Sequence, residues 1–275
     1  MLSMIELLQI TNDPAFARRC DALEGMRLFV DLERMGKAER QAGRNTFISQ
    51  HEIGDVARIK AQLRRTRLMV RVNPLNPGTR EEVDAVLAQG ADWLMLPMFG
   101  TAAQLREFAD IVDGRAPIVP LLETAGALQT LDEWIATPGL AEVFVGLNDL
   151  HLSLKCRFMF EPLAQGLVER VARAARARGL RFGFGGIARL DEGQLPGREV
   201  LAEHVRLGSQ AVILSRTFHR RDSPASFEAE VAALRAAERE LALRTPAQQL
   251  ADHERVVARI HELAAAAAPL AAVQP

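Results

Sequence analysis

The chain has 275 residues, 48% of them apolar and 25% charged, with a formal net charge of −1. That is enough for one large domain with a full core, or two small ones, and it supplies no global field to attract nucleic acid or an anionic membrane. Cys20 and Cys156 lie far apart with no C-x-x-C spacing, which excludes a local zinc or redox motif, and a reducing compartment is expected. The start MLSMIELLQI lacks a basic n-region, and no apolar run reaches membrane-spanning length, so a soluble, cytoplasmic protein is expected.

In chain order, short apolar runs with strand character alternate with amphipathic stretches. The runs are IELLQIT (5–11), RLFVDLE (27–33), LMVRVN (68–73), ADWLMLP (91–97), PIVPLLET (117–124), EVFVGLND (142–149), RFGFGGI (181–187) and QAVILSR (210–216). Between the first two, NDPAFARRCDALEG offers Asp13 as an N-cap, Pro14 at the first helical position and Gly25 as a stop. GTREEVDAVLAQG has Thr79 before an acidic first turn and Gly90 at its close. GTAAQLREFADIVDG, GALQTLDEWIATPG, EPLAQGLVERVARAARARG and PGREVLAEHVRLG follow the same logic.

Strands alternating with helices imply parallel pairing, and continuous apolar runs imply burial on both faces. Eight such units predict an α/β fold, a (β/α)8 TIM barrel with an additional C-terminal helix. Residues 1–222 would form the barrel. Residues 223–275 would supply the last barrel helix and a helical extension of the same domain. The extension, TPAQQLADHERVVARIHELA, is surplus to the barrel and available to cover it or to contact a neighbouring subunit; the LAAAAAPLAAVQP end reads as a frayed helix or tail. A doubly wound open sheet would need a Gly-rich turn after the first strand. Here that strand runs into TNDP, and the late GFGG at 183–186 is not G-x-G-x-x-G.

One interval is irregular. From Glu33 to Asn73 there are 40 residues, against intervals in the twenties to thirties elsewhere. A helix over IGDVARIKAQLRRT fits the second half and leaves 34–52 as an inserted loop that carries Arg34, Lys37, Arg40, Arg44 and His51.

In a parallel barrel the chemistry sits at the C-terminal strand ends. Those ends include Asp31 and Glu33, Arg71 and Asn73, Glu123, and Asn148 with Asp149. Alternation puts Arg71 on the lumen-facing side of LMVRVN, where a guanidinium is costly unless anions meet it. It reads either as a structural pair with Asp31 or Glu33, or as a clamp for a substrate carboxylate or developing enolate. Glu123 and Asp149 end neighbouring strands and repel unless a cation or proton lies between them. They read either as capping and loop-binding groups, or as the two carboxylates of a hard divalent ion with room for water and substrate. Of the six histidines, His204, His253 and His261 fall in helices and read as surface or packing residues. His219 follows strand eight, and His51 and His151 stand in loops where either could act as a base. No nucleophile elbow, P-loop or H-E-x-x-H occurs.

The run VDLE with its following lysine and arginine, then VRVN, GADWLMLP, LLET and VFVGLNDLHLSL, resembles the HpcH/HpaI aldolase and citrate lyase β-subunit family of metal-dependent class II 2-oxo-acid aldolases, over residues 27 to 218. The resemblance implies a TIM barrel, often with a terminal helix exchanged between subunits, in a homo-oligomer such as a trimer or hexamer. It implies that Glu123 and Asp149 bind Mg2+ or Mn2+, that Arg71 contacts a pyruvyl group, and that Asp31 and Glu33 form the acidic second-strand motif. Asn73, Gly146 and Asn148 stand beside these motifs as substrate-binding candidates. The chain departs from the pattern in two places. The histidine that follows the motif glutamate in aldolases, and the aspartate of the citrate-lyase-like branch, are both replaced by Arg34; the lysine of that branch after LP is Met98.

The expected function is therefore a divalent-metal-dependent aldolase or lyase that makes or breaks a C–C bond through the enolate of a 2-oxo acid, with a small 2-oxo acid and an aldehyde as partners. The alternatives are a citryl- or malyl-CoA-like lyase or thioesterase, for which RRTR (64–67) is the nearby basic cluster, and a ligand-binding relative that has lost catalysis. A Schiff-base route is disfavoured because the lysines, Lys37, Lys60 and Lys155, all lie outside the core strands. The inserted loop is expected to fold over the mouth, with His51 or one of its arginines standing in for the missing histidine.

Overall fold

The computed structural model describes residues 4–36, 50–219 and 225–267. Eight strands close into an all-parallel barrel in sequence order: β1 (Glu6–Ile10), β2 (Met26–Asp31), β3 (Leu68–Arg71), β4 (Trp93–Leu96), β5 (Ile118–Leu122), β6 (Glu142–Val145), β7 (Arg181–Ile187) and β8 (Ala211–Leu214), which pairs back onto β1. The helices between them are α1 (Pro14–Asp21), α2 (Ile53–Lys60), α3 (Thr79–Ala88), α4 (Ala102–Val112), α5 (Ala125–Gln129), α6 (Leu131–Trp134), α7 (Leu147–Ser153), α8 (Glu161–Ala164), α9 (Leu167–Ala177) and α10 (Gly197–Leu207). A 3-10 turn (Arg216–His219), α11 (Phe227–Ala242) and α12 (Pro246–Ala266) follow β8. This is the TIM barrel with an extra C-terminal helix that the alternation predicts.

The period-2 geometry of the strands builds two cores. One face of each strand, including Leu7, Leu28, Val70 and Leu94, packs under the helices, while Leu8, Phe29, Met69, Met95, Val119 and Phe144 fill the lumen. The N-terminal end of the lumen is closed by charge. Arg27 is 2% exposed and donates both Nη atoms to the buried Glu142 at 2.9 Å, with its guanidinium 4.5 Å from the Trp93 ring centroid; it also pairs with Glu6. Arg181 joins the same two carboxylates at 3.0 Å. These charges are all paired, which is the condition for tolerating them inside.

Helix boundaries follow local chemistry. Asp13 caps α1 by accepting from the amides of Ala15 and Phe16, and Thr101 with Gln104 forms the capping box of α4. Two expected helices are broken. GALQTLDEWIATPG divides into α5 and α6 at Thr130, and EPLAQGLVERVARAARARG divides into α8 and α9 at Gly166, whose φ of +74° a residue with a Cβ rarely adopts. IGDVARIKAQLRRT stays helical only to Lys60, because Asp21 captures the amides of Arg64, Arg65 and Thr66 and turns the chain into β3.

α12 lies on α8 and α10 and buries Val256, Ile260 and Ala264 in the same core as the barrel's outer layer. It is tied down by His253 Nδ1 against Glu203 at 3.0 Å, and Arg244 just before it donates to the Ala202 carbonyl. No helix among the described residues is long and apolar enough to cross a membrane.

His204 on α10 is fully buried, with its ring stacked 3.7 Å from that of Phe184 on β7. Its Nδ1 meets Ser209 Oγ at 2.8 Å, and burial pushes the imidazole from 6.5 down to about 3. The unfolded chain therefore takes up a proton near pH 6.5 that the folded chain refuses. Stability is complete above that pH and falls as pH drops toward 3, by about 1.4 kcal/mol per unit. Urea unfolding at pH 7 and pH 5 should show about 2 kcal/mol more acid loss in the wild type than in His204→Phe, which keeps the stack. Equal losses would exclude His204 as the source.

Candidate active site

The strand ends of β2, β3, β5 and β6 bring the acidic and basic candidates together at the C-terminal mouth. Asp31 and Arg71 are register partners across β2 and β3. Arg71 donates from Nε and Nη2 to the two Asp31 carboxylate oxygens, each at 2.8 Å, and Nη2 also reaches Glu33 at 3.4 Å. Asp31 and Glu33 are 4% and 2% exposed, so the guanidinium meets both carboxylates in a buried setting. Burial works against the Arg71 charge, but Asp31, Glu33 and Glu123 outweigh it and hold the group above its ordinary value. The structural ion pair therefore exists, and it consumes one edge of the guanidinium. Among the described residues, Arg71 Nη1 makes no hydrogen bond, whereas Nε and Nη2 are both engaged.

Glu123 stands one residue past β5 and is buried. Its Oε1 accepts from the Met98 amide at 3.0 Å. Met98 adopts φ +57°, a left-handed conformation unusual for a side-chain-bearing residue, and that twist at the end of β4 is what aims the amide. On the other side, a Cβ at position 146 would sit 2.8 Å from Glu123 Oε2, so Gly146 leaves the space the carboxylate occupies. Burial first, then repulsion from Asp149 and Glu33 against the attraction of Arg71, pushes the Glu123 carboxyl up from 4.5 to about 8. Asp149 is the third residue of α7, where Gly146 takes the N-cap position, so the capping role considered for Asp149 is not the one it has. Asn148 lies beside it in the same first turn, half-buried.

The remaining candidates are engaged elsewhere. Asn73 Oδ1 accepts the amides of Arg34 and Met35 at 2.9 and 3.1 Å, and its Nδ2 donates to Glu82 on α3 at 2.9 Å. His51 is 5% exposed, and its Nδ1 accepts the Asp31 amide at 3.0 Å, while Arg34 Nη2 donates to the His51 carbonyl at 2.8 Å. Both ends of the inserted loop are thus drawn together against β2 and β3. Lys37, Arg40 and Arg44 lie outside the described residues. His151 is buried on α7 with Nδ1 against the Leu147 carbonyl at 3.2 Å.

Three contributors were not foreseen from the sequence: the Met98 amide, the space at Gly146 and the Glu82 bracket on Asn73. Met98 and Glu82 carry no motif of their own. Gly146, directly after the β6 run, was legible as a substrate-binding candidate, not as the space beside Glu123.

Besides burial, Asp149 and Glu33 raise the Glu123 carboxyl while the Arg71 guanidinium lowers it, so carboxylates and a guanidinium meet at the mouth. Among the described residues no cluster of three or more His, Cys, Asp or Glu is placed to hold a metal ion. A cation here would take its protein ligands from two carboxylates and the rest from water or substrate. Magnesium accepts that arrangement, since it keeps several waters and binds through one or two carboxylates. The donor set, all hard oxygen, therefore fits Mg2+, and Mn2+ by the same ligand preference.

A family model described as HpcH/HpaI aldolase/citrate lyase matches residues 11–187, more than half of the chain. A (3S)-malyl-CoA thioesterase from Cereibacter sphaeroides is 34% identical over 119 residues, 42% of this chain; the match spans only 41% of that relative. Among solved structures, an HpcH/HpaI aldolase/citrate lyase family protein from Burkholderia cenocepacia J2315 is similar with a TM-score of 0.63 at 16% identity, covering 86% of this chain and 95% of that one. The protein CitE from Mycobacterium tuberculosis, in complex with magnesium, acetoacetate and coenzyme A, is similar with a TM-score of 0.57 at 18% identity, covering 95% of this chain and 89% of that one. At such identities the structural matches speak for the fold alone.

Proposed function

This chain belongs to the HpcH/HpaI aldolase/citrate lyase family, and from that premise we propose that it is a divalent-cation-dependent lyase or thioesterase acting on a short hydroxyacyl-CoA of the citryl or malyl kind. The observation that carries the reading is the buried Glu123 carboxyl at the barrel mouth, close enough to Asp149 to be raised by it and close enough to Arg71 to be lowered by it. The thioester substrate is favoured over a free 2-oxo acid by the similarity to a malyl-CoA thioesterase.

Glu123 and Asp149 would hold Mg2+ or Mn2+. When bound, that cation supplies Lewis-acid polarisation of the substrate carbonyl. The chain's own part is positional and electrostatic. Arg71 Nη1 offers a hydrogen bond to the thioester carbonyl oxygen, which gains negative charge as the C–C bond breaks to an enolate or, in hydrolysis, as water adds to the carbonyl carbon before the thiolate leaves. Asp31 and Glu33 hold the fork still, so no reorganisation is needed at that moment. Burial of these groups excludes water and strengthens each contact.

The test is solvent deuterium exchange into the methyl group of acetyl-CoA and, separately, of pyruvate, with Mg2+ and with EDTA. The proposal expects exchange into acetyl-CoA that falls on the order of 10²-fold or more in chelator. Metal-dependent exchange into pyruvate alone would move the assignment to retro-aldol chemistry on a free 2-oxo acid, which uses the same residues. No exchange into either, with hydroxyacyl-CoA also left intact, would sink both.

A further inference from the structure

The peptide N–H of Asp31 lies at the last register of β2, beyond the reach of β1. Ile10, the last residue of β1, pairs with Phe29, and the Thr11 amide already donates to the Phe29 carbonyl. On the other edge Leu32 donates to the Arg71 carbonyl. Asp31 is 4% exposed, so without another acceptor its N–H would be buried and unpaired, which native structures avoid. His51 supplies the acceptor through Nδ1 at 3.0 Å. The ring is brought there from 20 residues away and is held by its own backbone, since Arg34 Nη2 grips the His51 carbonyl at 2.8 Å. Arg34 is pinned in turn by Asn73, and Asn73 by Glu82.

We propose that His51 is a positioning residue for Arg71 rather than a replacement for the missing acid–base histidine: through the Asp31 amide it fixes the carboxylate that holds the Arg71 fork. An imidazole nitrogen that accepts from an amide carries no proton, so the ring is neutral with its hydrogen on Nε2. The lone pair a general base would need is committed to the backbone. Asp31 carries the guanidinium on both oxygens and also accepts the Glu33 amide at 3.2 Å, so a shift of its backbone moves the whole acid–arginine unit. A misplacement of about 1 Å in such a unit costs on the order of 10²-fold in rate. The inference rests on the reading that Arg71 acts on the substrate.

The experiment compares wild type, His51→Asn and His51→Phe in the full chain. Asparagine places an oxygen acceptor near the Nδ1 position, whereas phenylalanine keeps the shape and removes the acceptor. His51→Phe is expected to lower kcat on the order of 10²-fold with little change in KM, and His51→Asn to restore it to within about threefold. Backbone amide exchange of metal-free protein should show Asp31 at least tenfold less protected in His51→Phe and protected again in His51→Asn. Equal loss of kcat in both variants with Asp31 still protected would overturn the positioning role in favour of proton transfer. Full activity in His51→Phe would overturn it outright. Should the wild type turn over none of the substrates tested, the exchange arm still decides: unchanged protection of Asp31 in His51→Phe refutes the contact.

Discussion

Replacing Glu123 with glutamine is expected to remove cation-supported turnover by roughly 10³-fold while making the cation-free protein more stable. Both effects have one cause. The Glu123 carboxyl titrates near 8 in the folded chain and near 4.5 when unfolded, because it is buried and faces Asp149. Between those values the folded protein holds a proton that the unfolded chain has released. Stability is therefore highest at the acid end of the window and declines as pH rises toward 8. At pH 7 the loss amounts to about 3 kcal/mol. Glutamine cannot ionise and has nearly the same shape, so chelator-treated Glu123→Gln should show little of this decline. Mg2+ should raise the Tm of the wild type and leave that of the variant unmoved, because ligand stabilisation requires binding. Urea titrations from pH 5 to pH 8, with and without metal, measure all of it. A variant that still gains stability from Mg2+ would show that Glu123 is not a ligand.

Arg71→Leu is expected to be the most damaging single change in the mouth, at about 3–5 kcal/mol, because it removes a buried guanidinium that pairs with two buried carboxylates. Asp31→Asn in the same chain should recover part of that loss, and a double-mutant cycle should return a coupling energy of about 1–3 kcal/mol. The fork geometry is tested separately by Arg71→Lys, which keeps the charge. Lysine cannot span both Asp31 oxygens and still leave a third nitrogen for the substrate, so turnover should drop about 10²–10³-fold in protein that remains folded. Wild-type turnover in Arg71→Lys would show that only a positive charge is needed there. These expectations separate the two readings of Arg71 open at the sequence level. The pair with Asp31 is a structural fact, and it engages Nε and Nη2.

Much of the fold and the position of the site were legible in the sequence, and for an identifiable reason. Period-2 alternation in LMVRVN places Arg71 on the lumen side, and the eight apolar runs separated by capped helices leave a closed parallel barrel as the economical arrangement. Once the barrel is granted, its strand ends converge, so Asp31, Glu33, Arg71 and Glu123 must share one mouth. Local chemistry also decided the clear caps, such as Asp13 before Pro14 and Thr101 with Gln104.

What stayed illegible depends on which distant groups meet. The division of the helices at Thr130 and Gly166 reflects packing of short pieces around the barrel rather than loss of helical pattern. The left-handed twist at Met98 carries no composition signal, because its only purpose in view is to aim an amide at Glu123 across the β4–β5 boundary. His51 shows the difference most sharply. As a residue in a basic insertion it reads as a spare base, since a histidine in sequence carries no mark of which nitrogen is engaged. Only the closed chain, with Arg34 gripping the His51 carbonyl and the Asp31 amide left over at the edge of β2, commits Nδ1 to the backbone. Alternation and strand-end position are local properties that a sequence by itself determines. The hydrogen-bond partner of a buried group is decided by the tertiary structure, because the need for that partner arises only when burial takes water away.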